Sequence, residues 1–237
     1  MTTAVKPRTP TRPNQTPLII GAIVAVVAVA LIVFIALSGQ TGASFDYSAY
    51  PSSRTADGGF LLGDPNAPVT IIEFADYACP ACQQYYPEMT QFISEYVGSG
   101  KAAFEYRVFP TAGGQRTVFA GEIAACMNDE QPGAFWTALG RFNALAQQGR
   151  YDDAPRIVAQ EIGLNYASLL ECQQRSTYVD NIVSSAEPLR VTGTPAVRIR
   201  YGSGAPTLIT WGGQTYDRGG VPLAILRQVV DAAQPAS

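Results

Sequence analysis

The chain has 237 residues, which is enough for one globular domain of ordinary size and an additional segment. Its 16 basic and 19 acidic residues give a formal charge of −3, and this acidic balance without a basic run argues against nucleic acid as a partner. The sequence contains no histidine, which excludes Ser-His and Cys-His catalysis and every histidine-ligated metal site.

The N-terminal segment predicts a membrane anchor. Residues 1–17 are rich in Pro, Thr and basic side chains and predict a short cytoplasmic tail. Residues 18–37 carry no charge, and at about 1.5 Å per residue they match the roughly 30 Å hydrocarbon core of a bilayer. A cleaved signal peptide is the alternative, but the apolar run is too long for one and no clear cleavage site follows closely. Because the basic residues precede the apolar run, we expect a single-pass helix in the cell membrane, with the N-terminus cytoplasmic and the rest extracytoplasmic.

The folded domain is expected to begin near Gly59. Residues 38–58 are small, polar and aperiodic and predict an extracytoplasmic linker, which leaves residues 59–235 for the domain. Alternation and helical spacing give the elements of its first half. They are a strand at 69–74, a helix at 83–97 that Pro87 is expected to kink, and a strand at 101–109.

A purely helical stretch then separates two groups of strands. Residues 113–190 show helical spacing alone and predict an all-helical insertion. Its five predicted helices lie at 116–128, 133–148, 154–162, 166–174 and 177–189, with Asn165 placed to cap the fourth. Extended character resumes at 191–201, a return strand follows at 207–211, and a helix at 221–232 closes the domain. This order predicts an α/β fold with a thioredoxin-like core and an all-helical insertion, preceded by one N-terminal transmembrane helix.

Two cysteines lie where the first strand gives way to a helix, in the sequence Cys79-Pro80-Ala81-Cys82. At a helix start, unpaired backbone N–H groups and the helix dipole favour a thiolate on Cys79. Pro80 at the first helical position loses no hydrogen bond, and Cys82 falls on the same side of the helix, within reach of Cys79. We therefore predict thiol-disulfide exchange, with Cys79 as the solvent-facing nucleophile, Cys82 as the resolving thiol and no cofactor beyond the redox-active disulfide.

Half of a zinc site is the competing interpretation of this motif. Zinc needs two further ligands, usually a second close pair of cysteines or histidines. The other two cysteines, Cys126 and Cys172, lie 46 positions apart, and histidine is absent. Exchange chemistry is therefore favoured over a metal site.

Two further positions extend the predicted site. Glu73 lies in an otherwise apolar strand six residues before Cys79, and it is either an outward-facing residue or a buried acid beneath the helix start. Burial would raise its pKa and would allow it to exchange a proton with Cys82. Thr194-Pro195 is either a simple turn or a cis-proline turn facing the thiols, which would leave backbone groups free to pair with an extended substrate.

The residues GDPNAPVTIIEFADYACPAC at 63–82 and VTGTPAV at 191–197 resemble the DsbA-like thiol-disulfide oxidoreductases of the thioredoxin superfamily. The resemblance places that family's nucleophile on Cys79, its resolving thiol on Cys82, its buried acid on Glu73 and its cis-proline on Pro195. It implies an envelope enzyme that introduces disulfides into reduced or unfolded secreted proteins. It also implies reoxidation by a quinone-linked membrane partner of the DsbB or VKOR type.

One position departs from the best-studied members of that family, which have CPHC where this chain has CPAC. A cationic imidazole would stabilise a thiolate on Cys79, and Ala81 cannot do so. We therefore expect a less oxidising couple than in the CPHC members. A membrane-tethered reductase or isomerase stays open as the alternative, and a non-catalytic thioredoxin-like or metal-binding module is disfavoured.

The second pair of cysteines has two interpretations. Cys126 and Cys172 are either buried free thiols or a structural disulfide that joins two helices of the insertion. The extracytoplasmic environment expected for this domain favours the disulfide. Three tyrosines near the motif, Tyr77, Tyr85 and Tyr86, are candidates to line a groove for unfolded substrate, although core packing is expected for at least one of the last two.

Overall fold

The computed structural model describes residues 45–234, which form a mixed α/β domain. Seven strands run in chain order as β1 (Ser52–Arg54), β2 (Phe60–Leu62), β3 (Val69–Ala75), β4 (Ala103–Val108), β5 (Ala196–Tyr201), β6 (Thr207–Trp211) and β7 (Gln214–Tyr216). The helices are α1 (Pro80–Phe92), α2 (Gln115–Glu130), α3 (Ala134–Gln147), α4 (Ala154–Glu161), α5 (Tyr166–Gln173), α6 (Tyr178–Ala186) and α7 (Leu223–Ala232). A 3₁₀ turn, Tyr47–Ala49, precedes β1, and a π-helical turn, Ile93–Val97, extends α1.

The strands form one sheet with β3 at its centre, in the order β1-β2-β4-β3-β5-β6-β7. Strand β3 pairs in parallel with β4 and antiparallel with β5, and every residue of β3 is buried. Its sequence, VTIIEFA, suits this position because β-branched and aromatic side chains pack well on a sheet that is covered on both faces. The register places Glu73 between Tyr106 of β4 and Val197 of β5, so an acid lies at the centre of the sheet.

The five helices α2 to α6 form a block between β4 and β5, and α2 is its central member, in contact with the other four. Gly121 lets α2 approach the sheet closely, because a Cβ at this position would collide with the side chains of Val108 and Val179. Phe60 of β2 stacks on Phe135 of α3 with ring centroids 3.6 Å apart, which joins the sheet to the block. These contacts confirm the predicted α/β core with an all-helical insertion.

The predicted start of the domain at Gly59 is wrong, because the described part of the predicted linker belongs to the folded domain. Tyr47 is buried, with its ring 5.4 Å from that of Trp136. Strand β1 pairs antiparallel with β2, and the Asp57 carboxylate forms an ion pair with the buried guanidinium of Arg107. This strand could not be predicted from the sequence, because its three exposed residues, Ser-Ser-Arg, show no alternation of apolar and polar side chains.

The other differences from the predicted elements are small. The helix predicted at 83–97 begins at Pro80, and Pro87 lies inside α1 without ending it. The short strands β2 and β7 were not predicted. No helix within residues 45–234 is long and apolar enough to cross a membrane. The predicted tail at 1–17 and transmembrane helix at 18–37 lie outside the described residues.

Candidate active site

The two thiols lie at the N-terminus of α1, directly after the central strand. Cys79 occupies the N-cap position and Pro80 the first helical position, and the Cys79 backbone N–H donates to the Asp76 carbonyl at 3.0 Å. The chain thus turns sharply from β3 into α1 over residues 76–78. Cys79 and Cys82 are free thiols in this structure.

Both thiols are largely covered. Cys79 is 7% exposed and Cys82 is 4% exposed, so the prediction of a solvent-facing nucleophile and a covered resolving thiol overstates the difference between them. The cover over Cys79 is the loop before β5, because the Cys79 Sγ donates to the Thr194 carbonyl at 3.4 Å.

The loop before β5 carries the residues that the sequence singled out opposite the thiols. The Thr194–Pro195 peptide bond is cis, and Pro195 is buried while Thr194 is half-buried. A pocket of about 320 Å³ opens beside them. It is lined by Ala81, Gln84, Tyr85, Glu88, Thr194, Pro195, Gly219, Gly220 and Pro222. The two thiols therefore converge with Thr194 and Pro195, which lie more than a hundred residues further along the chain.

Glu73 is the buried acid of the site. It is 4% exposed, and burial raises the pKa of its carboxyl from an ordinary 4.5 to about 8. Burial and then the neighbouring Glu73 carboxylate raise the pKa of the Cys82 thiol well above its ordinary range. At neutral pH the protonated carboxyl and the protonated Cys82 thiol are therefore the stable forms.

Tyrosines surround Glu73 on several sides. Burial is the main cause that raises the pKa of Tyr85 and Tyr106, and the Glu73 carboxylate raises it further. Tyr85 also exchanges hydrogen bonds with the Val221 backbone, since its hydroxyl donates to the carbonyl at 2.6 Å and accepts from the N–H at 3.1 Å. Tyr77 is fully buried, so the predicted tyrosine-lined groove is wrong for Tyr77, whereas one edge of Tyr85 lines the pocket beside Pro195.

Asp76 is a residue of the site whose structural role the sequence did not reveal. Its side chain is fully buried and is held by hydrogen-bond donors. The Oδ1 atom accepts from the Ala78 N–H at 2.8 Å and from the Thr117 hydroxyl. The Oδ2 atom accepts from the N–H groups of Thr111 at 2.7 Å and Gly113 at 2.9 Å. An Asp placed three residues before the helix cap is typical of such a local turn, and this was the available sequence signal.

The second pair of cysteines forms a disulfide and lies far from Cys79 and Cys82 in the chain. Cys126 of α2 and Cys172 of α5 are bonded, with their Cα atoms 6.0 Å apart. Beside it, the buried Glu122 of α2 accepts from the backbone N–H groups of Tyr178 and Val179 at the start of α6. These two contacts fix the α5–α6 corner to α2. Within residues 45–234 no group of three or more Cys, His, Asp or Glu side chains is arranged to hold a metal ion.

Sequence comparisons connect this site with known proteins. Residues 55–201 match the thioredoxin family model. The probable disulfide bond formation protein D of Bacillus anthracis is 23% identical over 195 residues, covering 76% of this chain and 85% of that protein. The disulfide bond formation protein D of Bacillus subtilis is 31% identical over 79 residues, covering 32% of this chain and 34% of that protein.

Solved structures share the fold. Alpha-DsbA1 of Wolbachia pipientis superposes with a TM-score of 0.59 at 22% identity, covering 76% of this chain and 92% of that one. Oxidised BdbD of Bacillus subtilis superposes with a TM-score of 0.55 at 16% identity, covering 81% of this chain and 96% of that one. At these identities the likeness is one of fold.

Proposed function

The chain belongs to the thioredoxin family, and from this premise we propose that it is a protein disulfide oxidoreductase that introduces disulfides into secreted or envelope proteins. One observation carries the proposal. A free Cys-Pro-Ala-Cys pair at a helix N-terminus faces the cis Thr194–Pro195 bond, with a buried acid on the neighbouring central strand. The printed names of the Bacillus relatives, disulfide bond formation protein D, support the same class of reaction.

The reaction begins from the oxidised pair. A substrate thiolate attacks Cys79, the Cys79–Cys82 bond breaks, and a mixed disulfide forms between the substrate and Cys79. A second substrate thiolate then attacks the substrate sulfur of that mixed disulfide and releases Cys79. The substrate loses two electrons and two protons, and the cysteine pair gains both.

Glu73 supplies a proton in the step in which Cys82 leaves as a thiolate. When the Cys79–Cys82 bond breaks, Cys82 departs as a thiolate in a buried position that disfavours its charge. The nearby carboxyl has a pKa of about 8, so it is protonated at neutral pH and can supply the proton that Cys82 needs. The reverse transfer accompanies reoxidation. Glu73 thus makes the burial of Cys82 compatible with rapid exchange.

The loop before β5 is suited to an extended substrate. When Cys79 is a thiol, it donates a hydrogen bond to the Thr194 carbonyl. That carbonyl loses this donor once Cys79 bonds to another sulfur. The pocket beside Pro195 would then hold substrate side chains against Ala81 and Tyr85. Backbone pairing of this kind recognises unfolded chains regardless of sequence.

Reduction of substrates is the second candidate function, and Ala81 is the observation that favours it. The position between the cysteines carries no cation to stabilise a thiolate, which makes the pair a weaker oxidant. We still favour oxidation because the apolar run at 18–37 and the Cys126–Cys172 disulfide both suit an oxidising, extracytoplasmic location. In this location we expect a quinone-linked membrane partner to reoxidise Cys79 and Cys82.

A trapping experiment tests the proposal. Cys82→Ser in the full chain retains Cys79 and removes the thiol whose attack on a mixed disulfide would release the substrate, so the covalent complexes that Cys79 forms by attacking substrate disulfides should accumulate in cells. Cys79→Ser is the matched control and should capture almost nothing. Capture of many different secreted proteins supports the oxidase. Capture of one dedicated redox partner favours the reductase, and capture of none contradicts both.

A further inference from the structure

The pocket beside Pro195 has a wall formed by one face of α1. Four residues of that helix line the pocket at spacings of three and four positions, which places them on the same side of a helix: Ala81, Gln84, Tyr85 and Glu88. Two glycines of the segment before α7, Gly219 and Gly220, add a stretch of wall without side chains. Gly220 lies so close to the Tyr85 ring that a Cβ at this position would collide with it. The polar chemistry of the pocket therefore comes mainly from α1 and Thr194.

Glu88 places a carboxylate on this wall. Its side chain is half-buried, and its Oε2 atom accepts at 2.9 Å from the backbone N–H of Leu223, the first residue of α7. A helix N-terminus favours a negative charge beside it, and this bond fixes the position of the carboxylate. The other oxygen, Oε1, has no protein donor in the described part of the chain and is reached by solvent. One oxygen of Glu88 is therefore available to a ligand.

The negative charge of Glu88 is not balanced by a cation on the pocket wall. The residues that line the pocket include no Lys or Arg, and within residues 45–234 no basic side chain forms an ion pair with Glu88. The adjoining loop carries Asp217 and Arg218, whose exposed charges lie 4.0 Å apart and largely cancel. Burial holds the pKa of Glu73 at about 8, so that residue adds little charge at neutral pH. The pocket therefore has a negative wall.

Resting on the proposed function, we propose that Glu88 is a specificity-determining residue that favours substrate cysteines flanked by Lys or Arg. The Cys79 Sγ lies 3.4 Å from the Thr194 carbonyl, and Thr194 lines the pocket, so the pocket receives a side chain adjacent to the reacting substrate cysteine. The aliphatic stem of a basic side chain packs on Tyr85, and its charged end reaches Glu88 Oε1. An acidic side chain meets a like charge there. Backbone pairing accepts any sequence, and this pocket adds a preference among sequences.

Matched reduced peptides test the inference. Each peptide has two cysteines and carries Lys, Gln or Glu on both sides of the first one, and the measurement is its rate of oxidation by the oxidised full chain. The rate with hydroxyethyl disulfide, an uncharged oxidant, corrects for the effect of the flanking charge on the peptide thiol itself. Relative to the Gln peptide, we expect the Lys peptide to react about threefold faster and the Glu peptide about threefold slower. Added salt should weaken the preference, because exposed charges are screened.

Glu88→Gln should abolish this preference, because an amide oxygen can still accept from the Leu223 N–H but carries no charge. Glu130→Gln is the matched control, since it removes the same charge from the exposed far end of α2, and it should retain the preference. Gln84→Lys adds a cation to the same wall without touching the bond to Leu223, and it should also abolish the preference.

Equal corrected rates for the three peptides, or a preference that persists in Glu88→Gln and Gln84→Lys, would overturn the inference. The proposed function would stand in either case, because the peptides are still oxidised. An oxidised chain that oxidises none of the peptides would contradict both.

Discussion

Glu73 shows how one residue is tuned by its place in the fold. On a solvated strand it would be an ordinary carboxylate, but the central position of β3 buries it and raises its pKa to about 8. That value lies near physiological pH, which is the range where a group transfers protons effectively in both directions. The same burial makes Glu73 a destabilising group once it is ionised.

Replacing Glu73 with Gln is therefore expected to remove a pH dependence of stability. Between its ordinary pKa of 4.5 and the folded value of about 8, the folded state retains a proton that the unfolded state has lost. The free energy of unfolding should fall by about 1.4 kcal/mol for each pH unit across this window in the unsubstituted protein. Urea unfolding of the reduced protein across the window measures the slope. Glu73→Gln should flatten it, and the exposed Glu130→Gln should not.

We expect Ala81 to make the pair a weaker oxidant than one with a cation at the same position. Introducing Ala81→His places a cation beside the thiols, which stabilises a thiolate and hence the reduced state. We expect the equilibrium constant with glutathione to move by roughly tenfold toward a stronger oxidant, about 30 mV for a two-electron couple. Ala81→Gln is the control of similar size without charge. An equal shift in both variants would contradict an electrostatic origin.

At the scale of elements, the sequence predicted the long helices well and the short strands poorly. The five helices of the insertion begin and end within a few residues of their predicted bounds, because apolar spacing and caps such as Asn165 mark them locally. Strands β1 and β7 have three residues each, and their stability comes from backbone pairing that leaves no side-chain pattern.

Among the residues of the site, Glu73, Cys79, Cys82 and Pro195 were identifiable by residue type. Asp76 and Thr111 were not, because their contacts depend on how β3 and β4 end.

The Cys126–Cys172 disulfide stabilises α5, a short helix with one fully buried side chain, Leu169. Removing both sulfurs in Cys126→Ala/Cys172→Ala should lower the free energy of unfolding by about 2 to 4 kcal/mol. Amide exchange should accelerate most in α5 and at the start of α6. The exchange equilibrium of Cys79 and Cys82 should be unchanged, and a large shift in it would show that this disulfide belongs to the redox machinery.

At the scale of the whole molecule, residues 45–58 are part of the domain. The Tyr47 hydroxyl donates to the Tyr86 hydroxyl of α1 at 3.0 Å, and its ring packs on Trp136 of α3. One side chain within the predicted linker thus touches both the helix of the thiols and the helical insertion. A long flexible stalk cannot account for these contacts.

Tyr47→Ala is therefore expected to destabilise the domain by roughly 3 kcal/mol, as for other buried aromatic truncations. The neighbouring exposed Ser48→Ala should change stability by less than about 0.5 kcal/mol. Urea midpoints of the two variants provide the comparison. Equal midpoints would support a linker that extends to residue 58.

The most direct test of the account is disulfide transfer from Cys79 and Cys82 to a reduced, unfolded protein. The oxidised full chain is mixed with a substrate that carries two thiols, and alkylation with intact mass counts thiols on both partners. We predict that the substrate loses two thiols while Cys79 and Cys82 gain two, that Cys126–Cys172 stays bonded, and that Cys79→Ser abolishes the transfer. Absence of transfer, or transfer that persists in Cys79→Ser, would contradict the assignment of Cys79 and Cys82 as an oxidising pair.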